Sequence, residues 1–253
     1  MLEAIVWGVV QGITEFLPVS SDGHLVLVPA FLGIDGPDLT ISAVLHLGTL
    51  LAVITYFRRE LWSLTRFRSD PAARRLLILL IIATLPAFLA LLVRDQVEEL
   101  QTSITATAVF LIVSGLVLVV ASRFRSGHRR LEDAAPIDAL TIGFVQVFAI
   151  LPGLSRSGVT ITTALARGFD RVEAARFSFL LGVPAVAGAG LLELANLADG
   201  GGIKATTLVG VAVAAVTGYA AISFLLRMLA RTGLWAYAIY CLVVGVAALT
   251  LLA

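Results

Sequence analysis

The sequence predicts an all-α integral membrane protein of six transmembrane helices plus two re-entrant helix hairpins, arranged as two inverted-topology repeats. Three observations predict it. The first is composition: 59% of the 253 residues are apolar and 14% are charged, and the mean hydropathy is +0.99. A soluble domain carries roughly a quarter charged residues, so most of this chain has lipid as its solvent. The second is a set of six apolar stretches near the length of about 20 residues that a bilayer requires. The third is an internal repeat, each copy of which is followed by three of those stretches.

The spans are Thr40–Phe57, Arg75–Val93, Ile104–Ser122, Phe177–Leu197, Ala205–Leu226 and Gly233–Leu252. Pro86 and Pro184 read as helix kinks within them. No cleavable leader is expected, because no basic segment precedes the first apolar run and Gln11, Thr14 and Glu15 interrupt it. Cys241, the single cysteine, lies in the last span and reads as a small hydrophobe.

Lys and Arg are retained on the cytoplasmic side, and this orients the chain. Arg58, Arg59, Arg66, Arg68, Arg74 and Arg75 mark one internal loop, and Arg123, Arg125, Arg129 and Arg130 the next. Between them Asp95–Thr102, with Asp95, Glu98 and Glu99, reads as external. Arg167, Arg171 and Arg176 read as internal, Asn196–Gly202 as external, and Arg227 and Arg231 as internal again. The alternation predicts a multi-pass protein of the plasma membrane with both termini outside. A net charge of +1 with no basic tail gives no nucleic-acid partner.

Leu2–Leu32 and Ile137–Ala166 begin apolar and then become dense in Gly, Pro, Ser and charge. Open backbone is tolerated at membrane depth only inside protein or along a wet cavity, so both read as re-entrant hairpins. They also carry the repeat. Gly8, Gln11, Leu17-Pro18, Ser20 and Gly23 match Gly143, Gln146, Leu151-Pro152, Ser155 and Gly158, with one gap. The chain is one membrane domain whose halves are residues 1–122 and 136–253. Three spans per half turn the second copy upside down, and inverted repeats of this kind place their broken segments near the midplane. The two loops are therefore expected to meet in one cavity.

Ionisable groups within membrane segments are functional candidates by default. The first hairpin supplies Glu15, Asp22 and His24, and the second Arg156. Arg156 offers a five-donor fork for phosphate oxygens. Gly153 and Gly158 permit close approach of backbone N–H groups at a helix start, and Ser155, Ser157 and Thr160 add hydroxyls. The second loop thus reads as a phosphate cradle. Ser20 and Ser21 are candidate nucleophiles with His24 as base. Glu15 offers oxygen to a hard divalent cation. Other groups have plainer readings: Gln11 as a bridge between helices, His46 as a satisfied core residue, Thr162 and Thr163 as hydroxyls bonded to their own helix, and an Arg156–Glu15 pair as structural.

Gln11-Gly-Ile-Thr-Glu15-Phe-Leu-Pro-Val-Ser20-Ser21-Asp22-Gly23-His24 resembles the first signature of the undecaprenyl-diphosphate phosphatase (bacitracin-resistance) family, and Pro152-Gly-Leu-Ser155-Arg156-Ser157-Gly158-Val-Thr160 resembles the second. The resemblance covers the whole chain. It implies removal of the terminal phosphate from a polyprenyl diphosphate at a site open to the outer face, with a divalent cation, Mg²⁺ or Ca²⁺. It also implies roles for Glu15 as essential acid, Ser21 as nucleophile, His24 as acid/base and Arg156 as phosphate clamp. Gln11, Ser20, Gly153, Ser155, Ser157, Gly158 and Thr160 would bind substrate. Glu15 would hold the metal, with Gln11 and Asp22 as further candidate ligands. The expected partners are the polyprenyl diphosphate, membrane lipids and a second copy in a homodimer.

One position departs from the family, which carries Ser or Thr where this chain has Asp22. A carboxylate beside a diphosphate repels it unless compensated. Asp22 is read here first as a cap of the following helix, with a metal-ligand role as the alternative. The rival function is a prenyl-phosphate transporter using the same midplane site. It has no need of a Ser21–His24 nucleophile and base.

Overall fold

The computed structural model describes residues 1–93, 96–97, 99–124, 126–199 and 205–252. They form eleven α-helices: α1 (Leu2–Phe16), α2 (Ser21–Leu32), α3 (Leu39–Tyr56), α4 (Arg58–Leu64), α5 (Pro71–Thr84), α6 (Ile104–Arg123), α7 (Pro136–Val145), α8 (Arg156–Ala166), α9 (Arg171–Asp199), α10 (Ala205–Leu229) and α11 (Trp235–Leu251). Among the described residues there is no strand, only an isolated bridge between Arg129 and Phe169. Of the positions used for topology, Asp95, Glu98, Arg125 and residues 200–202 lie outside the described residues.

The helix ends follow local chemistry. Asp70 accepts from Ala72 and Ala73 N–H ahead of Pro71, which opens α5. Ser103 accepts from Ala106 N–H ahead of α6, satisfying donors that a helix start leaves free. Gly33 closes α2 in the left-handed region at φ 64°, where glycine carries no Cβ penalty. The stretch expected as one helix over Arg75–Val93 changes character: α5 ends at Thr84 and a 3₁₀ segment runs from Leu85 to Val93. Pro86 lies at the change, and its ring has no N–H to give the α ladder.

Among the described residues, Pro71–Val93, Ile104–Arg123 and Ala205–Leu229 are long and apolar enough to cross a membrane; α3 and α4, bent by 80°, make a fourth if taken together. Large apolar side chains such as Ile81, Phe88, Leu116, Val216 and Val243 stand exposed on their outer faces. A soluble fold would bury such a belt; these helices fit a multi-pass membrane protein.

Small residues set the packing. In lipid, helices gain little from apolarity and associate through close contact. A Cβ added at Gly8 would meet the Gly210 carbonyl, and one at Gly12 would meet Thr217 Oγ1 and the Ala214 carbonyl, so α1 lies directly on α10. Gly48 brings α3 onto the same helix at Val211 and Ala214. In the second half Gly143 of α7 sits on the Ala83 backbone of α5. Helices α6 and α11 cross through a reciprocal contact, Gly115 against Leu242 and Gly245 against Ile112.

At one end the segment before α7 is pinned by a buried carboxylate. Asp138, 1% exposed, accepts from Arg129 Nη2 at 2.6 Å and Arg167 Nε at 2.6 Å, and from Ala135 N–H at 2.8 Å. Arg129 and Arg167, which the sequence offers only as topology signals, are thus committed to an internal staple.

The close contact of Gly143 gives a test. Gly143→Val overpacks the α5–α7 contact and is expected to lower stability by about 1–3 kcal/mol, read as a drop in unfolding temperature of the detergent-purified protein.

Candidate active site

Both loops are built the same way. Leu17, extended at ψ 142° before Pro18, ends α1, as a residue preceding proline tends to. Ser20 then caps α2, its Oγ accepting from Gly23 N–H. Ser155 caps α8 by accepting from Gly158 N–H. Each cap is followed by the first residue of its helix, Ser21 in one loop and Arg156 in the other, and both converge on Glu15. Ser21 Oγ donates to Glu15 Oε2 at 2.6 Å. Arg156 Nη2 donates to Glu15 Oε1 at 2.7 Å. Gln11, one turn before Glu15, donates from Nε2 to Oε2 at 3.1 Å.

The loops also touch directly, as the repeat predicts. Ser157 Oγ donates to the Leu17 carbonyl at 3.2 Å. A Cβ on Gly23 would lie 3.1 Å from Gly153 Cα. Ser114 of α6 fixes the second loop, donating to the Gly153 carbonyl at 3.0 Å and accepting from Ser155 N–H at 2.8 Å. Gly153 has φ 89° and packs on the Thr107 carbonyl, a close approach that excludes any side chain.

Two expectations about these residues change. The second loop is not an open cradle of hydroxyls. Ser155, Ser157 and Thr160 are buried and engaged: Ser155 as cap, Ser157 on Leu17, and Thr160 on the Arg156 carbonyl at 2.7 Å and Ser178 Oγ at 2.7 Å. Gly158 serves packing, since its Cβ would press on Ser155. The loop offers Arg156 itself. Arg156 Nη1 is buried without a hydrogen-bond partner, and the guanidinium fits only because Gly182 has no side chain.

The second change concerns His24. It does not meet Ser21. Its Nδ1 lies 2.7 Å from the Ser20 carbonyl and its Nε2 2.8 Å from Tyr240 Oη, with the two rings stacked at 5.6 Å. A carbonyl only accepts, so Nδ1 carries the proton and Nε2 accepts from the tyrosine. His24 therefore clamps the Ser20 carbonyl, and Ser20 is the one described non-glycine residue at positive φ, 69°. Such strain persists only where surrounding contacts hold it. The group next to the Ser21 hydroxyl is Glu15.

Asp22 does not cap α2; Ser20 does. Its side chain is 59% exposed and faces His46, whose Nε2 lies 3.5 Å from Asp22 Oδ1 and 3.4 Å from Glu15 Oε2. His46, which the sequence offers as a core histidine, borders the site. Charge within a span was the signal that marked it. Tyr240 and Ser114 carried no such signal. Thr162 and Thr163 bond their own helix at Gly158 and Val159, the plain reading given to them. Beside this cluster Glu15, Arg156, Thr49, Phe16, Phe179 and Gly182, among others, line a narrow crevice.

The cluster does not form a cage for a divalent cation as it is folded. Gln11 Oε1 is a buried acceptor without a partner, which suits a hard ion in kind. Both oxygens of Glu15, however, already face Arg156, Ser21, Gln11 and His46. Among the described residues no group of three or more His, Cys, Asp or Glu is arranged to hold a metal. No step below is routed through one.

Comparison with known proteins gives the family. The family model described as bacitracin resistance protein BacA matches residues 4–247. Curated relatives named undecaprenyl-diphosphatase include those of Geotalea daltonii, 41% identical over 98% of this chain and 97% of the relative, and of Thermomicrobium roseum, 43% identical over 96% and 95%. Another, from Methanosphaera stadtmanae, is 36% identical over 97% and 96%. With its two signature loops meeting at Glu15 and a match of this extent, the chain belongs to the bacitracin resistance protein BacA family.

Proposed function

We propose that the chain hydrolyses undecaprenyl diphosphate to the monophosphate and inorganic phosphate, at a site open to the outer face of the plasma membrane. The observation that carries this reading is the convergence of a hydroxyl, a carboxylate and a guanidinium from two separate loops: Ser21, Glu15 and Arg156. The names of the relatives, undecaprenyl-diphosphatase, support this substrate class.

The step follows from the geometry. The terminal phosphate displaces Glu15 as the partner of Arg156, whose free Nη1 is a further donor for its oxygens. Glu15, relieved of its counter-charge, becomes a better proton acceptor. Ser21 Oγ attacks the terminal phosphorus and its proton passes to Glu15. The phosphorus–bridging-oxygen bond breaks, and prenyl monophosphate leaves. Glu15 passes that proton to the departing prenyl monophosphate; water then cleaves the phosphoserine, giving its proton to Glu15, which returns it to Ser21 Oγ as phosphate is released. Positioning and charge supply most of the acceleration in phosphoryl transfer. His24 holds the turn that presents Ser21. The divalent cation implied by the family resemblance would supply neutralising charge to the diphosphate, with Glu15 and the unpartnered Gln11 Oε1 as the side chains that would face it.

The membrane arrangement is part of the proposal: six spans, two re-entrant hairpins (α1–α2 and α7–α8), inverted repeats over 1–122 and 136–253, and both termini outside. The reciprocal contacts Gly115–Leu242 and Gly245–Ile112, the matching Ser20 and Ser155 caps and the exchange of neighbours, α1 on α10 and α7 on α5, support the inverted symmetry. The site lies within one chain, so a homodimer is not required for its chemistry. The transporter reading loses ground because a Ser21–Glu15 hydrogen bond is of no use to passage alone.

Phosphate release from a polyprenyl diphosphate by the purified protein tests the reading. Ser21→Ala and Glu15→Gln are expected to lose at least about 10²-fold in kcat, with folding checked by thermal unfolding. Release by wild type that persists undiminished in Ser21→Ala would remove the serine nucleophile; no release by folded wild type that still binds the lipid would favour the transporter. Chelator is expected to depress release and Mg²⁺ to restore it.

A second prediction separates the roles of Glu15 and His24. His24→Gln is expected to lower kcat by about tenfold or less, well short of Glu15→Gln, because its ring nitrogens point away from the reacting hydroxyl. Equal losses would return the base to His24.

A further inference from the structure

The short helix α4 has a face that no described residue covers. It leaves α3 at an angle of 80°, so where α3 crosses the membrane α4 runs nearly along its surface. The inward side of α4 is occupied. Leu61 and Leu64 pack on the core, and Glu60 lies 3.4 Å from Arg176 Nη2. The opposite side presents Arg58, Arg59 and Trp62, all exposed, with Trp62 at 67%. The turn that follows adds Arg66, Phe67 and Arg68, and the first turn of α5 adds Arg74, again all exposed.

The acidic groups of this segment do not neutralise it. Glu60 is taken by Arg176, and Asp70 caps α5. Among the described residues Arg58, Arg59, Arg66, Arg68 and Arg74 form no ion pair. A guanidinium keeps its charge throughout the physiological range, so the surplus is permanent. An open indole among arginines suits neither bulk solvent. Water leaves the indole's apolar area exposed, and hydrocarbon penalises the guanidinium groups. The boundary between the two suits both: indole rings collect at headgroup level, and guanidinium forks match phosphate oxygens. The position agrees. In α5 the exposed apolar side chains Ile78 and Ile81 begin one turn past Arg74, which sets the basic patch at the edge of the apolar belt. The bend keeps Arg58, Arg59 and Trp62 near one depth, where a helix continuing α3 would carry them away from the surface.

We propose that the outward face of α4, Arg58, Arg59 and Trp62 with Arg66 beside them, is a docking surface for anionic phospholipid headgroups, taken in preference to zwitterionic ones. Charge selects the ligand class. A zwitterionic headgroup brings its own cation to the arginines, and an anionic one does not. The surface is independent of the phosphatase reading and of which side of the membrane α4 faces; it needs only that α3 and α5 span.

The test uses the full-length protein in phosphatidylcholine vesicles. Phosphatidylglycerol or phosphatidylcholine, spin-labelled near the top of an acyl chain, is added as a quencher of tryptophan fluorescence. The difference between wild type and Trp62→Phe isolates the Trp62 signal. Each arginine near an anionic lipid surface adds about fivefold to affinity, so labelled phosphatidylglycerol is expected to associate at Trp62 at least about threefold more strongly than labelled phosphatidylcholine. Combined Arg58→Gln, Arg59→Gln and Arg66→Gln should bring that ratio to about one. These side chains are exposed, and unfolding temperatures check each variant; should the triple variant not fold, Arg59→Gln alone is expected to lower the ratio. Inorganic phosphate and glycerol 3-phosphate, at matched ionic strength, should leave the ratio unchanged; displacement by either would make this a site for soluble anions and overturn the lipid assignment. Equal quenching by the two lipids in wild type, a preference that survives loss of the arginines, or no quenching of Trp62 by either lipid also overturns it. Phosphate release from a polyprenyl diphosphate, measured on the same preparations, decides the phosphatase reading separately.

Discussion

The carboxylate of Glu15 is the constraint on which the site depends. It is buried, and a lone buried carboxylate costs several kcal/mol. The fold meets that cost by bringing donors to it from three places: Gln11 on its own helix, Ser21 and Arg156 at the starts of two helices, and His46 on α3. Breaking such a pair by removing one partner typically costs about 3–5 kcal/mol. The ion pair Glu15–Arg156 is thus also the tie between the halves of the chain. On the proposed mechanism the structural and functional readings of that pair are one reading: the tie between the two loops is what substrate opens.

That convergence is possible only because the scaffold is built from small residues. The strand of loop around Gly153 lies against the Thr107 carbonyl, and the guanidinium of Arg156 fills the place of a missing side chain at Gly182. Gly8, Gly12 and Gly48 bring α1 and α3 onto α10, which holds the end of α1, and hence Glu15, in place. Close backbone contact substitutes for the apolar driving force that is missing between helices in lipid.

Much of this was legible in the sequence. Five of the six apolar stretches are α-helices whose ends shift by up to six residues, Arg75–Val93 divides into α5 and a 3₁₀ segment, and the Ser-x-x-Gly match appears as a serine cap on each of α2 and α8. Glu15, Ser21 and Arg156 were marked by charge and hydroxyl chemistry in segments where such groups are expensive. What was not legible was direction. Nothing in one-dimensional spacing says that His24 turns toward Tyr240, far along the chain in α11, rather than toward Ser21 three residues away. Nor does it say that Ser155, Ser157 and Thr160 spend their hydroxyls inside the protein. The sequence offers Asp22 as a cap, but Ser20, two places earlier, is an equally good one, and the backbone uses it. His46 was discounted because an imidazole in a span is ambiguous until its neighbours are known.

The arrangement also shows how a site for a highly charged headgroup can exist at membrane depth without substrate. Left unpaired, Arg156 would be as costly as Glu15. Paired with each other, they are nearly free to wait. On the proposed mechanism an arriving phosphate lets Arg156 exchange one anion for another, which changes the number of buried charges little, while Glu15 loses its guanidinium and gains basicity at the moment a proton must be taken. Binding and activation are then the same event. The exchange has a condition: the space around the incoming phosphate must hold no other uncompensated anion.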